Sequence, residues 1–280
     1  IARPWSDQLR DALHDRHGDQ QGRALAERYH VAFAVDYREA TRPEQAVQDI
    51  ATIESMGSGS MGVCLSRLED EPGNALRLRI YHRQDSLALS QLLPVIENLG
   101  LFVSTQNGPY VVTPHGDSEI IWLYDIIGTP RWPLQQDFAV IKPLVEETFR
   151  QVWANRMPND GFNQLVLRAA LPGRSVNVLR TLAKYAHQIK APQSREAMIG
   201  ALVKHTRLAQ IVIELFTTRH DPATQRDAAK QTVILLDEMQ SLLAKVPNLD
   251  EDRILRRFAN LVQASLRTNF YQNDKDGQPK

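Results

Sequence analysis

In 280 residues there is a single cysteine, Cys64. No disulfide can form within the chain, so a reducing, cytoplasmic setting is expected. No apolar run approaches the roughly 20 residues that a membrane span requires. A charged-then-apolar leader is also missing, although the chain begins with Ile1 rather than Met. Neither sign of charge is in excess: Lys plus Arg and Asp plus Glu each number 33. Binding to nucleic acid or to an anionic membrane needs a basic face, so neither is expected as a partner. The nucleophile elbow GxSxG and a Walker-type phosphate loop are absent as well. What remains is 42% apolar and 24% charged, the composition of a chain that buries a core. Its length suits one large domain or two ordinary ones.

Several short motifs imitate sites. Gly57-Ser58-Gly59-Ser60-Met61-Gly62 is a literal GxGxxG. A dinucleotide site needs a strand before it and a helix after it. Here a helix precedes and "MGVCLSRL" reads as a strand, so the stretch reads as a connector. "QNDKDGQPK" places Asp274 and Asp276 like calcium ligands around Gly277, but the first position is Gln272 and the bidentate Glu is missing. His14 and His17 share a helix face without the third ligand that zinc requires. Cys64 lies in an apolar strand and reads as a buried thiol. "RILRRF" (Arg253 to Phe258) reads as a solvated helix face. Catalytic, cofactor and metal residues are therefore expected to be none.

The periodicity changes along the chain. Trp5 to Arg28 reads as a helix interrupted near Gly18. "YHVAFAVDY" alternates, with Tyr29, Val31, Phe33 and Val35 on one face, and predicts a strand. "TRPEQAVQDIATIESM" predicts a helix, with Thr41 and Glu44 at capping-box spacing and Pro43 in its first turn. "MGVCLSRL" and "ALRLRIYH" predict strands joined by a turn through "EDEPGN". "SQLLPVIENLG" predicts a helix. "LFVST" and "YVVTP" predict short strands around Asn107-Gly108, and "EIIWLYDII" one more. That order is the split, ferredoxin-like βαββαβ arrangement with extra β. After about residue 133 seven helices are expected, ending with Leu249 to Phe270. Leu165, Leu167, Val176, Leu179, Leu182 and Tyr185 look like core, as do Ile211, Val212, Leu215 and Phe216. The class is α+β: a linker helix at 1–28, a sheet domain at 29–132 and an all-α domain at 133–280.

Six stretches, in order, resemble the large NAD-specific glutamate dehydrogenases of bacteria. "YHVAFAVDYREATRPEQAVQDIATIESM" and "LSQLLPVIENLGLFV" are similar to their third ACT-like regulatory domain. "DGFNQLVLRAAL", "VLRTLAKYAHQI" and "LFTTRHDP" resemble the helical motifs that follow. "SLRTNFYQNDKDGQPK" resembles the junction with the catalytic domain, which gives a cause to its half-hairpin at Asp276-Gly277. His220, where the family tends to have an aromatic residue, and "LPGR", where it tends to carry a Trp near Gly173, depart from the pattern.

The resemblance implies a non-catalytic regulatory and architectural segment of an enzyme that oxidises L-glutamate to 2-oxoglutarate and ammonium with NAD. NAD would belong to the parent enzyme and not to this segment. The partners implied are the enzyme's own catalytic domain and neighbouring subunits of a homo-oligomer, with an amino acid as effector. Asp36, Arg38 and Glu39, in the loop after the expected first strand, are the candidate effector-binding residues. A free-standing amino-acid sensor with a helical output domain is the alternative. As a severed piece, the chain should hold Asn273 to Lys280 loosely.

Overall fold

The computed structural model describes residues 3–68, 74–117, 119–224, 226–273 and 275. The turn expected at "EDEPGN" and the Asp276-Gly277 turn fall largely or wholly outside the described residues. So does the expectation for Asn273 to Lys280, apart from residues 273 and 275. The described chain divides into two units. One comprises Ile1–Glu97, Leu101–Pro133 and Val145–Arg156; the other comprises Asn98–Gly100, Leu134–Leu144 and Met157–Lys280.

The first unit begins with α1 (Trp5–Tyr29), which breaks at Gly18 (φ 73°, ψ 178°) as the sequence predicts. Its two halves fold back on each other. A Cβ added at Gly22 would stand 2.8 Å from both the Cα of His14 and the carbonyl oxygen of Leu13, so glycine permits that approach. Next come α2 (Val35–Ala40) and α3 (Pro43–Ser55), the sheet strands β1 (Met61–Arg67) and β2 (Leu76–Arg83), and α4 (Leu89–Asn98). Strands β3 (Leu101–Val112) and β4 (Ile121–Pro130) complete the sheet. Among the described residues the sheet has four strands, all antiparallel, in the order β1-β2-β4-β3.

The α+β class and the ferredoxin-like sheet with helices therefore stand, but the strand predicted at residues 29–37 does not form. Tyr29 closes α1, Phe33 makes one isolated bridge to Val112, and Val35 opens α2. The alternating valines misled: Val31 is 65% exposed and Val35 61%. The buried residues are Tyr29, Ala32, Phe33 and Tyr37, and the three aromatics among them are spaced by four. Their rings stack in series, with centroids 6.1 Å and 4.4 Å apart. The fourth strand of the sheet is instead β4, central between β2 and β3. The capping box also does not form. Arg42 holds the cap position of α3 without a side-chain bond, while Thr41 is buried and its carbonyl accepts from Trp5 Nε1 at 2.8 Å. The two short strands expected around Asn107-Gly108 are one strand with register shifts at Val103/Thr105 and Asn107/Tyr110.

Both faces of β2 are buried. Leu76, Leu78 and Ile80 point one way; Arg79 and Tyr81 point the other, toward a core with Ile50, Ile53, Ile121 and Leu123. At the outer edge, the Leu65 amide of β1 donates to Glu146 Oε1 at 2.8 Å. Glu146 belongs to α5 (Phe138–Trp153), whose residues 145–153 count with this unit.

The second unit is helical: α6 (Gln164–Ala169), α7 (Gly173–Gln188), α8 (Arg195–Lys204), α9 (Thr206–His220), α10 (Ala228–Leu243) and α11 (Leu249–Ala264). Leu165, Leu167, Val176, Leu179, Ile211, Val212, Leu215 and Phe216 are buried as expected, but Tyr185 is exposed. Asn248 caps α11, its side chain accepting from the amides of Asp250 and Glu251. That last helix stops at Ala264, short of the expected Phe270. Ser265 turns extended (φ −70°, ψ 131°), and the carbonyls beyond are taken by side chains: Ser265 by Arg219 Nε at 2.8 Å and Phe270 by Arg174.

Candidate functional site

The first unit hides a cluster of charges between its helices and its sheet. Asp49 on α3 is 1% exposed, Arg79 on β2 is 6% and Asp125 on β4 is 4%. Charges are rarely buried this deeply unless paired. Asp49 Oδ2 accepts from Arg79 Nη1 and from the hydroxyl of Tyr37 on α2. Asp49 Oδ1 accepts from the Tyr81 hydroxyl at 2.6 Å. Across the sheet, Arg79 faces Asp125 in register, with Nη2 3.6 Å from Oδ2. Arg77 Nε lies 3.1 Å from Asp125 Oδ1, close enough for an ion pair but not aligned for a hydrogen bond. Burial opposes the charge on Arg79, yet Asp49 and then Asp125 outweigh it and raise its pKa. Burial, and after it the charge of Asp49, pushes the phenols of Tyr37 and Tyr81 well up. The cluster thus fastens α2 and α3 to β2 through Asp49, and β2 to β4 through Arg79 and Asp125.

Asp36, Arg38 and Glu39 stand on α2 rather than in a loop, because the strand expected before them is not there. Asp36 is exposed, and its Oδ1 accepts from the Tyr37 amide at 2.8 Å. Glu39 is exposed; Arg38 is half-buried, with its Nε lacking a hydrogen-bond partner. The three share one short helix, and Tyr37 between them turns inward to Asp49. Sequence reading missed Asp49, Arg79 and Asp125. A signal existed: Asp49 interrupts the apolar stripe of α3 between Val47 and Ile50.

Several charges of the helical unit are paired. Asp160 takes Arg180 through two bonds at 2.8 Å and also takes Arg195. Arg207 forks onto Glu238, at 2.7 and 2.9 Å, and onto Glu214. That pairing holds the Glu238 carboxyl below its ordinary pKa. In "RILRRF", Arg253 and Arg256 pair with Asp250 and Asp252 along the same helix. Gly57 to Gly62 connect α3 to β1, the reverse of a dinucleotide motif. Cys64 is buried in β1. Among the described residues there is no group of three or more His, Cys, Asp or Glu placed to hold a metal. Nor is any described helix long and apolar enough to cross a membrane.

Comparison with known proteins gives four successive family matches. Residues 12–56 match glutamate dehydrogenase helical motif 2, and residues 60–129 match the glutamate dehydrogenase ACT3 domain. Residues 157–222 match glutamate dehydrogenase helical motif 3. Residues 238–280 match the catalytic domain of bacterial NAD-glutamate dehydrogenase, a match that starts upstream of the "SLRTNF" stretch. The chain is 32% identical over 281 residues to the NAD-specific glutamate dehydrogenase of Halomonas elongata. It is 33% identical to the enzymes of that name from Pseudomonas aeruginosa and Mycobacterium tuberculosis, over 283 and 278 residues. These alignments cover 96–100% of this chain but 17% of each relative.

Proposed function

We propose, since this chain belongs to the family of bacterial NAD-specific glutamate dehydrogenases, that it forms a non-catalytic regulatory and architectural segment of such an enzyme. The parent reaction would be oxidation of L-glutamate to 2-oxoglutarate and ammonium with reduction of NAD, in the cytoplasm. The observation that carries the reading is the match of residues 60–129, the four-stranded sheet, to a domain named ACT3 between helical motifs on either side. NAD does not fit the glycine motif present here. The stretch Gly57 to Gly62 leads into β1, so the helix that a pyrophosphate site needs does not follow it. No step of the reaction is assigned to this chain's residues.

The sheet unit would pair with neighbouring subunits, and the helices would join it to the catalytic part. An amino-acid effector would dock on α2, with Arg38 taking its carboxylate and Asp36 or Glu39 its ammonium group. Calorimetric titration of the chain with amino acids tests that site; a flat response from the intact chain, or heat unchanged in R38Q, rejects it.

The main test uses the whole enzyme. Removing residues 60–129 should change its assembled mass by light scattering and its response to amino-acid effectors in the glutamate-dependent reduction of NAD. Unchanged mass with unchanged response would sink the regulatory reading. NADH production by this chain alone would sink the non-catalytic one.

A further inference from the structure

Beyond Ala264 the chain leaves α11 and runs as a strap, residues 265–271, against α7 and α9. Ser265, Thr268, Phe270 and Tyr271 are half-buried, while Leu266, Arg267 and Asn269 are exposed. The strap is pinned near both ends. At its start, Arg219 Nε donates to the Ser265 carbonyl at 2.8 Å, and His220 Nε2 lies 2.7 Å from Ser265 Oγ. That hydroxyl gives its one proton to the Val262 carbonyl, at 2.6 Å, so His220 is the donor to Ser265. At its end, Phe270 sits between two helices. Arg174 of α7 donates to the Phe270 carbonyl and stands 4.2 Å from the ring centroid, while Phe216 of α9 meets the ring edge-on at 5.3 Å. Beside it, Tyr271 forms a side-chain hydrogen bond with Thr217 of α9.

Between the pins the strap does not pack down. A groove of about 900 Å³ separates it from the helices, lined by Leu266, Arg267 and Thr268 of the strap and by Val178, Leu182 and Phe216 of the helices. A segment held at a few points, with little area packed between them, opens locally while the core stays folded.

The pins join two different family matches. Arg174, Phe216, Arg219 and His220 lie within helical motif 3, residues 157–222, and the strap lies within the stretch that matches the catalytic domain, residues 238–280. We propose that the strap is a releasable joint, with Phe270 as its positioning residue. When Phe270 is seated, helical motif 3 holds the beginning of the catalytic-domain stretch in place; when Phe270 leaves its seat, the two are uncoupled. The coupling rests on the reading of this chain as a segment of the whole enzyme. The strap itself does not, and it is tested on the chain alone.

The first arm is trypsin digestion of the complete chain under native conditions, followed by mass spectrometry. Cleavage after the exposed Arg267 should be roughly tenfold faster in F270A than in the parent, because cleavage follows the opened population and the ring contacts to Phe216 and Arg174 are lost. F270Y keeps a ring in the seat and should be cut at close to the parent rate. Cleavage after Arg131, in the other unit, should be the same in all three. Unchanged cleavage after Arg267 in F270A, or equal acceleration at Arg131, overturns the strap. Should F270A fail to fold, R174Q, which removes the guanidinium from both the carbonyl and the ring, decides in its place. The second arm is the whole enzyme, where F270A should lower kcat severalfold in glutamate-dependent reduction of NAD and F270Y should restore it. Faster cleavage with unchanged kcat, or an equal fall in F270A and F270Y, overturns the coupling. Deletion of residues 60–129 leaves the strap in place, so the regulatory reading and this one fail separately.

Discussion

Asp49→Asn keeps the shape of a side chain on which Tyr37, Tyr81 and Arg79 all converge, and removes its charge. Arg79 is then left in the core with Asp125 at 3.6 Å as its remaining acid. Taking away one partner of a buried pair costs about 3–5 kcal/mol, because the other charge stays buried. That is a large share of the roughly 5–15 kcal/mol that holds a domain folded. With a urea slope near 2 kcal/mol per molar, the midpoint should fall by about 2 M. The chain has two units, so the probe must belong to one of them. All four tryptophans, Trp5, Trp122, Trp132 and Trp153, lie in the first unit, so their fluorescence reports on it alone. The fluorescence transition should move to lower urea. Tyr81→Phe, which removes one phenol from the same carboxylate, should cost less, about 1–3 kcal/mol. A loss below about 1 kcal/mol for D49N would mean that the carboxylate is solvated or lacks these partners, and the description of the cluster would be wrong.

Two further predictions concern the helical unit. Asn248→Ala removes the cap from the Asp250 and Glu251 amides and should cost about 1 kcal/mol, seen by circular dichroism with the fluorescence transition unmoved. Burial, aided by the neighbouring Arg219, lowers the pKa of His220 from 6.5. As pH falls below 6.5 the unfolded chain therefore takes up this proton before the folded one does, and stability of the helical unit falls until the lower folded pKa is passed. His220→Gln should flatten that slope; a slope below pH 6.5 that survives the substitution would remove His220 as its cause.

Strands with an apolar face and helices with a clean stripe were legible. The sequence reading placed β1, β2, α3, α4 and the helices after residue 133 close to where they stand. It failed at residues 29–37 because two periods overlap there. Alternating aliphatics suggested a strand, but the core takes the aromatics Tyr29, Phe33 and Tyr37 instead, and the chain between them turns from α1 into α2 rather than extending. It failed again at "SLRTNF", where helix propensity continues past Ala264 but Ser265 turns extended and Arg219 takes its carbonyl. The charge cluster was illegible for a different reason. Arg77 and Arg79 alternate with Leu76, Leu78 and Ile80, which normally means one wet face and one dry. Only the presence of α2 and α3 over that face turns Arg79 into a core residue.

The central place of β4 has a consequence for synthesis. Both β2 and β3 pair with it, and among the described strands β3 pairs with no other. On the ribosome, growing at roughly 5–20 residues per second, β3 emerges with no strand to bond. The β1–β2 hairpin meanwhile waits with one long edge bare. Until Pro130 has cleared the exit, the nascent chain exposes the kind of unpaired edge that recruits neighbouring chains. That exposure ends with the arrival of one ten-residue strand.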